Sequence, residues 1–79
     1  MYIIYSKPNC VFCERAKQKL VEENYEHKIK ILGVHFEVAD LYEIAPRTHK
    51  TFPVITKNGE YVGGYQELLV DIEKGVTEL

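Results

Sequence analysis

Cys10 and Cys13, in the stretch SKPNCVFCERAKQKL, are the residues best equipped for chemistry, and two residues separate them. Such a pair can ligate a metal, cross-link the chain or exchange electrons. A zinc site needs two further ligands, usually histidines or cysteines at close spacing. The chain has no other cysteine, and His27, His35 and His49 are separated by seven and then thirteen residues, so no ligand set is completed and no metal is expected. A bridge this short closes almost no loop and constrains the unfolded chain very little. Electron exchange is the reading that remains. With Val11 opening a helix, Cys10 sits where unpaired N–H groups and the positive end of the helix dipole stabilise a thiolate, and Lys7 adds a cation three residues upstream. The thiolate is the attacking species, so Cys10 is expected to ionise more readily than a free thiol. Cys13, one turn inside the helix, is expected to be buried and to resolve the mixed disulfide that Cys10 forms.

The elements that must position this pair can be read from the surrounding pattern. Tyr2 to Tyr5 form a β-branched and aromatic run stopped by SKPN, a strand ending in a turn. From Val11 to about Glu23, Ala16, Leu20 and Val21 fall at helical spacing behind Cys13, with charged residues on the other face. Residues 25 to 32 alternate Tyr25, His27, Ile29 and Ile31 against Glu26, Lys28 and Lys30, which predicts a second strand. After Gly33, the residues Val38, Leu41, Tyr42 and Ala45 recur at helical spacing until Pro46, although Val34, Phe36 and Val38 also alternate like a strand. A helix is expected there because it leaves short connections on both sides. Val54–Ile55 and Tyr61–Val62 flank Asn58-Gly59, a strong hairpin signal. Leu68, Leu69 and Ile72 then place a closing helix that is expected to stop at Gly75.

The order β-α-β-α-β-β-α combines a parallel crossover unit with an antiparallel hairpin. The expected class is therefore α/β with the thioredoxin fold, a four-stranded mixed sheet flanked by three helices. In that fold the segment Thr51-Phe52-Pro53 packs against the cysteine turn. A cis Phe52–Pro53 bond is expected, leaving the Phe52 main chain to pair with a bound peptide as an added strand. Without that fold, Pro53 reads as a proline opening an edge strand. Gly63-Gly64 reads either as a plain turn or as a close approach to a ligand, with N–H groups of the last helix facing an anion.

Length and composition bound these expectations. At 79 residues the chain is one domain, residues 1–79, and a net charge of −2 is too balanced for a nucleic-acid or membrane surface. No apolar run approaches the ~20 residues of a membrane span, and MYIIYSKPN is too short and polar for a signal peptide, so a cytoplasmic location is expected.

Together, CVFC after the first strand, TFP before the third and VGGYQEL leading into the last helix resemble a glutaredoxin over essentially the whole chain. The length and the lack of proline after Cys10 are similar to the short glutaredoxins of large bacterial viruses. The resemblance implies a monomeric dithiol oxidoreductase that reduces protein disulfides and glutathione mixed disulfides with electrons from glutathione. Ribonucleotide reductase is the protein substrate it implies. By the same resemblance Cys10 is the nucleophile and Cys13 the resolving thiol, while Lys7 meets the glycine carboxylate of glutathione. Thr51, Phe52 and Pro53 hold its cysteinyl unit, and Arg47, His49 or Lys50 supplies a second basic contact. Gly63 and Gly64 form the Gly-Gly turn, and Gln66 and Glu67 receive the γ-glutamyl end. Phe12 stands where the family usually has tyrosine at the rim of the site, Val11 where it has proline, and Phe52 where it has valine, which narrows the groove. Two alternatives stay open: a thioredoxin-like donor reduced by a flavoprotein reductase, and a glutathione-dependent iron–sulfur carrier.

Overall fold

Tyr and Ile side chains that favour a pleated backbone build β1 (Tyr2–Ser6), an inner strand on which the molecule is assembled. A computed structural model describes residues 1–77. β1 runs parallel to β2 (His27–Ile31) and antiparallel to β3 (Val54–Lys57), which pairs antiparallel with β4 (Glu60–Gly63). The sheet order is β2-β1-β3-β4. Helices α1 (Val11–Glu22), α2 (Val38–Leu41) and α3 (Tyr65–Thr77) complete the expected element order and fold class. The β3–β4 turn is set by Asn58 at φ 52° and Gly59 at φ 84°, the left-handed pair that a two-residue hairpin requires.

Alternation along β1 sends side chains to opposite faces and so builds two cores. Tyr2 and Ile4 join Ala16 and Leu20 of α1, Ile55 of β3, and Leu68 and Ile72 of α3. Tyr5 instead meets Phe36, Ala45 and Val54, with Ile3, Leu32, Leu41, Ile44 and Phe52 packed around them. On the first face the Tyr2 hydroxyl donates to Asp71, which also pairs with Lys57 at 3.3 Å, so β1, β3 and α3 are fastened at one point. Burial, and then the Asp71 carboxylate, push the Tyr2 phenol well above its ordinary ionisation range.

Two expected elements differ in extent. The helix at 38–45 is regular for one turn only, after which Tyr42, Glu43 and Ile44 donate to carbonyls three residues back at 3.3, 3.3 and 3.1 Å. The chain tightens because Leu41 and Ala45 reach the second core whereas Val38 and Tyr42 remain 48% and 54% exposed, so a continuous apolar stripe has nothing to cover. The last helix does not stop at Gly75 but runs through it. A β-carbon at Gly75 would lie 3.3 Å from the Tyr25 hydroxyl, so the glycine serves a close approach and not a helix end.

Candidate active site

The turn after β1 delivers Cys10 to the start of α1. Asn9 takes up the left-handed conformation at φ 58°, a residue type that tolerates it, and reverses the chain. Cys10 is extended and caps the helix: its Sγ accepts the Cys13 N–H at 3.2 Å and its carbonyl accepts the Glu14 N–H at 3.2 Å. One of the helix's unpaired N–H groups is thus aimed at the Cys10 sulfur, the feature that favours a thiolate there. The two cysteines are joined in a disulfide, with Cα atoms 5.2 Å apart. Cys10 is half-buried and Cys13 is 5% exposed, the asymmetry expected of an attacking and a resolving sulfur.

The Phe52–Pro53 bond is cis. Among the described residues, no hydrogen bond engages the Phe52 main chain. The segment is held from behind by His49, which joins the Pro53 carbonyl through Nε2 at 3.2 Å and the Tyr61 hydroxyl through Nδ1. Burial, and secondarily the Glu67 carboxylate, raise the Tyr61 phenol above its ordinary value.

Packing and backbone conformation require a glycine at Gly63, whereas a β-carbon at Gly64 would meet only ordinary contacts. Gly63 lies at φ 139°, and a β-carbon there would sit 2.6 Å from the Glu67 side chain; one on Gly64 would sit 3.5 Å from the Pro53 carbonyl. The tight approach at this turn is between Gly63 and the Glu67 side chain. Glu67 Oε1 accepts the Gly64 N–H at 2.8 Å, so this N–H at the start of α3 is already answered by the chain's own carboxylate.

Phe12, Thr51, Phe52, Pro53, Gly64, Gln66 and Glu67 come together around a cleft of about 260 Å³, with Tyr65 as a further wall. The Phe12 and Tyr65 rings lie 5.8 Å apart, and the Arg15 guanidinium stands 5.3 Å over Phe12. Lys7 is not in this lining. Its Nζ lies 5.6 Å over the Phe52 ring, so it meets the cleft across that ring. Arg47 and Lys50 line a different groove, beside α2, and His49 is turned toward Pro53. Reading the sequence alone misses the tie from His49 to Pro53 and Tyr61, for which it carries no signal. It also misses the Glu67 cap, although a carboxylate three residues after the glycine that precedes α3 is the capping spacing. His27 and His35 bond to the nearby main chain at Tyr25 and Ile31, and no group of three potential metal ligands occurs among the described residues.

Residues 2–62 match the family model described as Glutaredoxin. The chain belongs to the glutaredoxin family. It is similar to glutaredoxin 1 of Francisella tularensis, solved with cacodylate: 26% identity, TM-score 0.74, covering 96% of this chain and 95% of that one. The buckwheat glutaredoxin–glutathione complex shares the fold at TM-score 0.70 and 19% identity, over 94% of this chain and 69% of that one. A curated relative, hybrid peroxiredoxin hyPrx5 of Haemophilus influenzae, is 32% identical over 65 residues, which are 82% of this chain and 26% of the relative. The chain thus spans about a quarter of that relative's length. In this glutaredoxin domain Cys10 and Cys13 form a Cys-x-x-Cys pair joined in a disulfide.

Proposed function

We propose that the protein is a glutathione-dependent dithiol oxidoreductase that reduces protein disulfides and glutathione mixed disulfides, acting as a monomer in the cytoplasm. The observation that carries this reading is the pairing of a helix-capping Cys10 with an adjacent cleft whose Phe52 main chain has no partner. An extended thiol ligand can pair with Phe52 as an added strand while its sulfur meets Cys10. A neighbouring fold solved as a glutaredoxin–glutathione complex supports glutathione as that ligand. Lys7, Thr51 and Gln66 offer a cation, a hydroxyl and an amide to its polar ends, and Glu67 offers a carboxylate to its ammonium. Among the described residues no helix is long and apolar enough to cross a membrane.

The exchange balances as follows. The Cys10 thiolate attacks one sulfur of a substrate disulfide, forming a mixed disulfide and releasing the other sulfur as a thiolate that takes up a proton. The Cys13 thiolate then attacks Cys10, forming the Cys10–Cys13 disulfide and releasing the second substrate thiol. One glutathione thiolate reopens this disulfide at Cys10 and a second removes the first as oxidised glutathione, so two electrons pass from two glutathiones to the substrate. Ribonucleotide reductase, the substrate implied by the family resemblance, is such an acceptor.

The test is reduction of the oxidised protein by glutathione, NADPH and glutathione reductase, compared with NADPH and thioredoxin reductase. Rapid reduction by the first system supports the reading. Reduction by the second alone replaces it with a thioredoxin-like donor.

A further inference from the structure

A second groove opens on the far side of Phe52, between α2 and the segment that leads into β3. Its volume is about 440 Å³, within the range of about 300–1,000 Å³ typical of ligand clefts. Thr51 and Phe52 line both this groove and the redox cleft, so a chain lying along one continues into the other. The floor is apolar: Leu41 and Val54 belong to the second core, while Val38 and Tyr42 remain about half exposed at the edge.

The charge at the rim is of one sign. Arg47 and Lys50 line the groove, and no acidic residue does so among the described residues. Neither cation is in an ion pair among the described residues. Arg47 holds its guanidinium 4.8 Å over the Tyr42 ring, a contact to the π face that does not use its N–H donors. This is not the general character of the surface, since the chain carries 12 acidic against 10 basic residues. The hollow between β4 and α3 is mixed, with Glu60, Glu67 and Asp71 beside Lys57 and Lys74.

We propose that this groove docks an extended, acidic and apolar segment of the protein whose disulfide Cys10 reduces, its apolar side chains on Leu41, Val54 and Phe52 and its carboxylates on Arg47 and Lys50. The inference rests on the oxidoreductase reading and adds a specificity surface to it. Alternate side chains of an extended strand point to opposite sides, so such a segment can bury an apolar residue while its neighbours meet the cationic rim. Charge complementarity of this kind selects partners and speeds encounter more than it tightens the final complex.

The test is an NMR titration of the oxidised protein with two short blocked, cysteine-free peptides. One carries Leu and Phe flanked by Asp and Glu, and its twin has Lys in place of the acids. The acidic peptide should shift the amides of Val38, Tyr42, Arg47 and Val54 and leave those of α1 unmoved, and the lysine twin should not bind. Val38→Asp, which places a carboxylate at an exposed edge of the groove, and Arg47→Glu should each weaken the acidic peptide about tenfold or more at low salt. Turnover of a small glutathione mixed disulfide is followed on the same Val38→Asp sample and should be unchanged. Equal binding of both peptides, shifts elsewhere, or concentration-dependent shifts of the groove without peptide would each overturn the proposal, the last by seating a second copy there. Loss of turnover with glutathione in the wild type, with peptide docking intact, would instead remove the electron-source reading and leave the groove standing.

Discussion

The two faces of the sheet are built to different standards. Between the sheet and α1 with α3, six core residues from Tyr2 to Leu68 are no more than 1% exposed, and the Tyr2–Asp71–Lys57 contact closes the edge. On the other face Val54 is 2% exposed but Tyr5, Phe36 and Ala45 are 7–9% exposed, and the cover is a one-turn helix and loops. Thiol exchange needs Cys10 held at the end of a helix that does not move, and the closed face anchors that helix through Ala16 and Leu20. Recognition needs open apolar and polar surface, and the open face carries the proline segment and the groove beside α2. Under the proposed function, fixing the sulfur falls to the closed side of the sheet and docking a partner segment to the groove on the open side.

The largest expected effect breaks the chemistry itself. Cys10→Ser should abolish reduction of every disulfide in a coupled NADPH assay. Cys13→Ser should keep substantial turnover of glutathione mixed disulfides, because a second glutathione can release the first from Cys10, but should lose most reduction of protein disulfides. Next comes the contrast in packing. Leu20→Ala, at a site with no exposure, should cost about 2–5 kcal/mol in chemical denaturation, while Tyr42→Ala on the open face should cost within ~0.5 kcal/mol apart from its Arg47 stacking. Equal costs at both sites would erase the distinction between the faces. Gly63→Ala forces a β-carbon against Glu67 at φ 139°, and should cost about 1–3 kcal/mol and disturb the cleft, read as lower melting temperature together with weaker glutathione turnover.

The smallest effect concerns pH. The Tyr2 phenol is raised above the ordinary value of 10.0 in the folded chain, chiefly by burial. Below pH 10.0 both folded and unfolded chains keep this proton and the contribution is fully present. Above it the unfolded chain loses the proton first, so stability falls as pH rises toward the folded value. Tyr2→Phe should flatten that part of the stability curve, measured by denaturant midpoints between neutral and strongly alkaline pH.

Much of this was legible because local chemistry and tertiary demand agree. The YIIY run, the helix behind Cys13 and the Asn58-Gly59 turn each satisfy a local rule that the fold also needs. The Cys pair and the TFP segment are adjacent in meaning before they are adjacent in space. Three features were not legible. Helical spacing at Val38, Leu41, Tyr42 and Ala45 says nothing of whether a surface exists to cover all four, and only two of them are covered. Gly75 has the same letter whether it ends a helix or admits the Tyr25 hydroxyl. His49 reaches Tyr61 across 12 positions, a pairing that only the hairpin creates.

The central claim of the proposed function is that the half-buried Cys10, and not the buried Cys13, is the sulfur that exchanges with glutathione. Intact-mass and peptide-mapping spectrometry of Cys13→Ser and Cys10→Ser after exposure to oxidised glutathione tests it most directly. The account predicts one glutathione adduct, formed rapidly on Cys10 in the first variant, and little or none on Cys13 in the second. Equal adduct formation on both cysteines, or preferential labelling of Cys13, would contradict it.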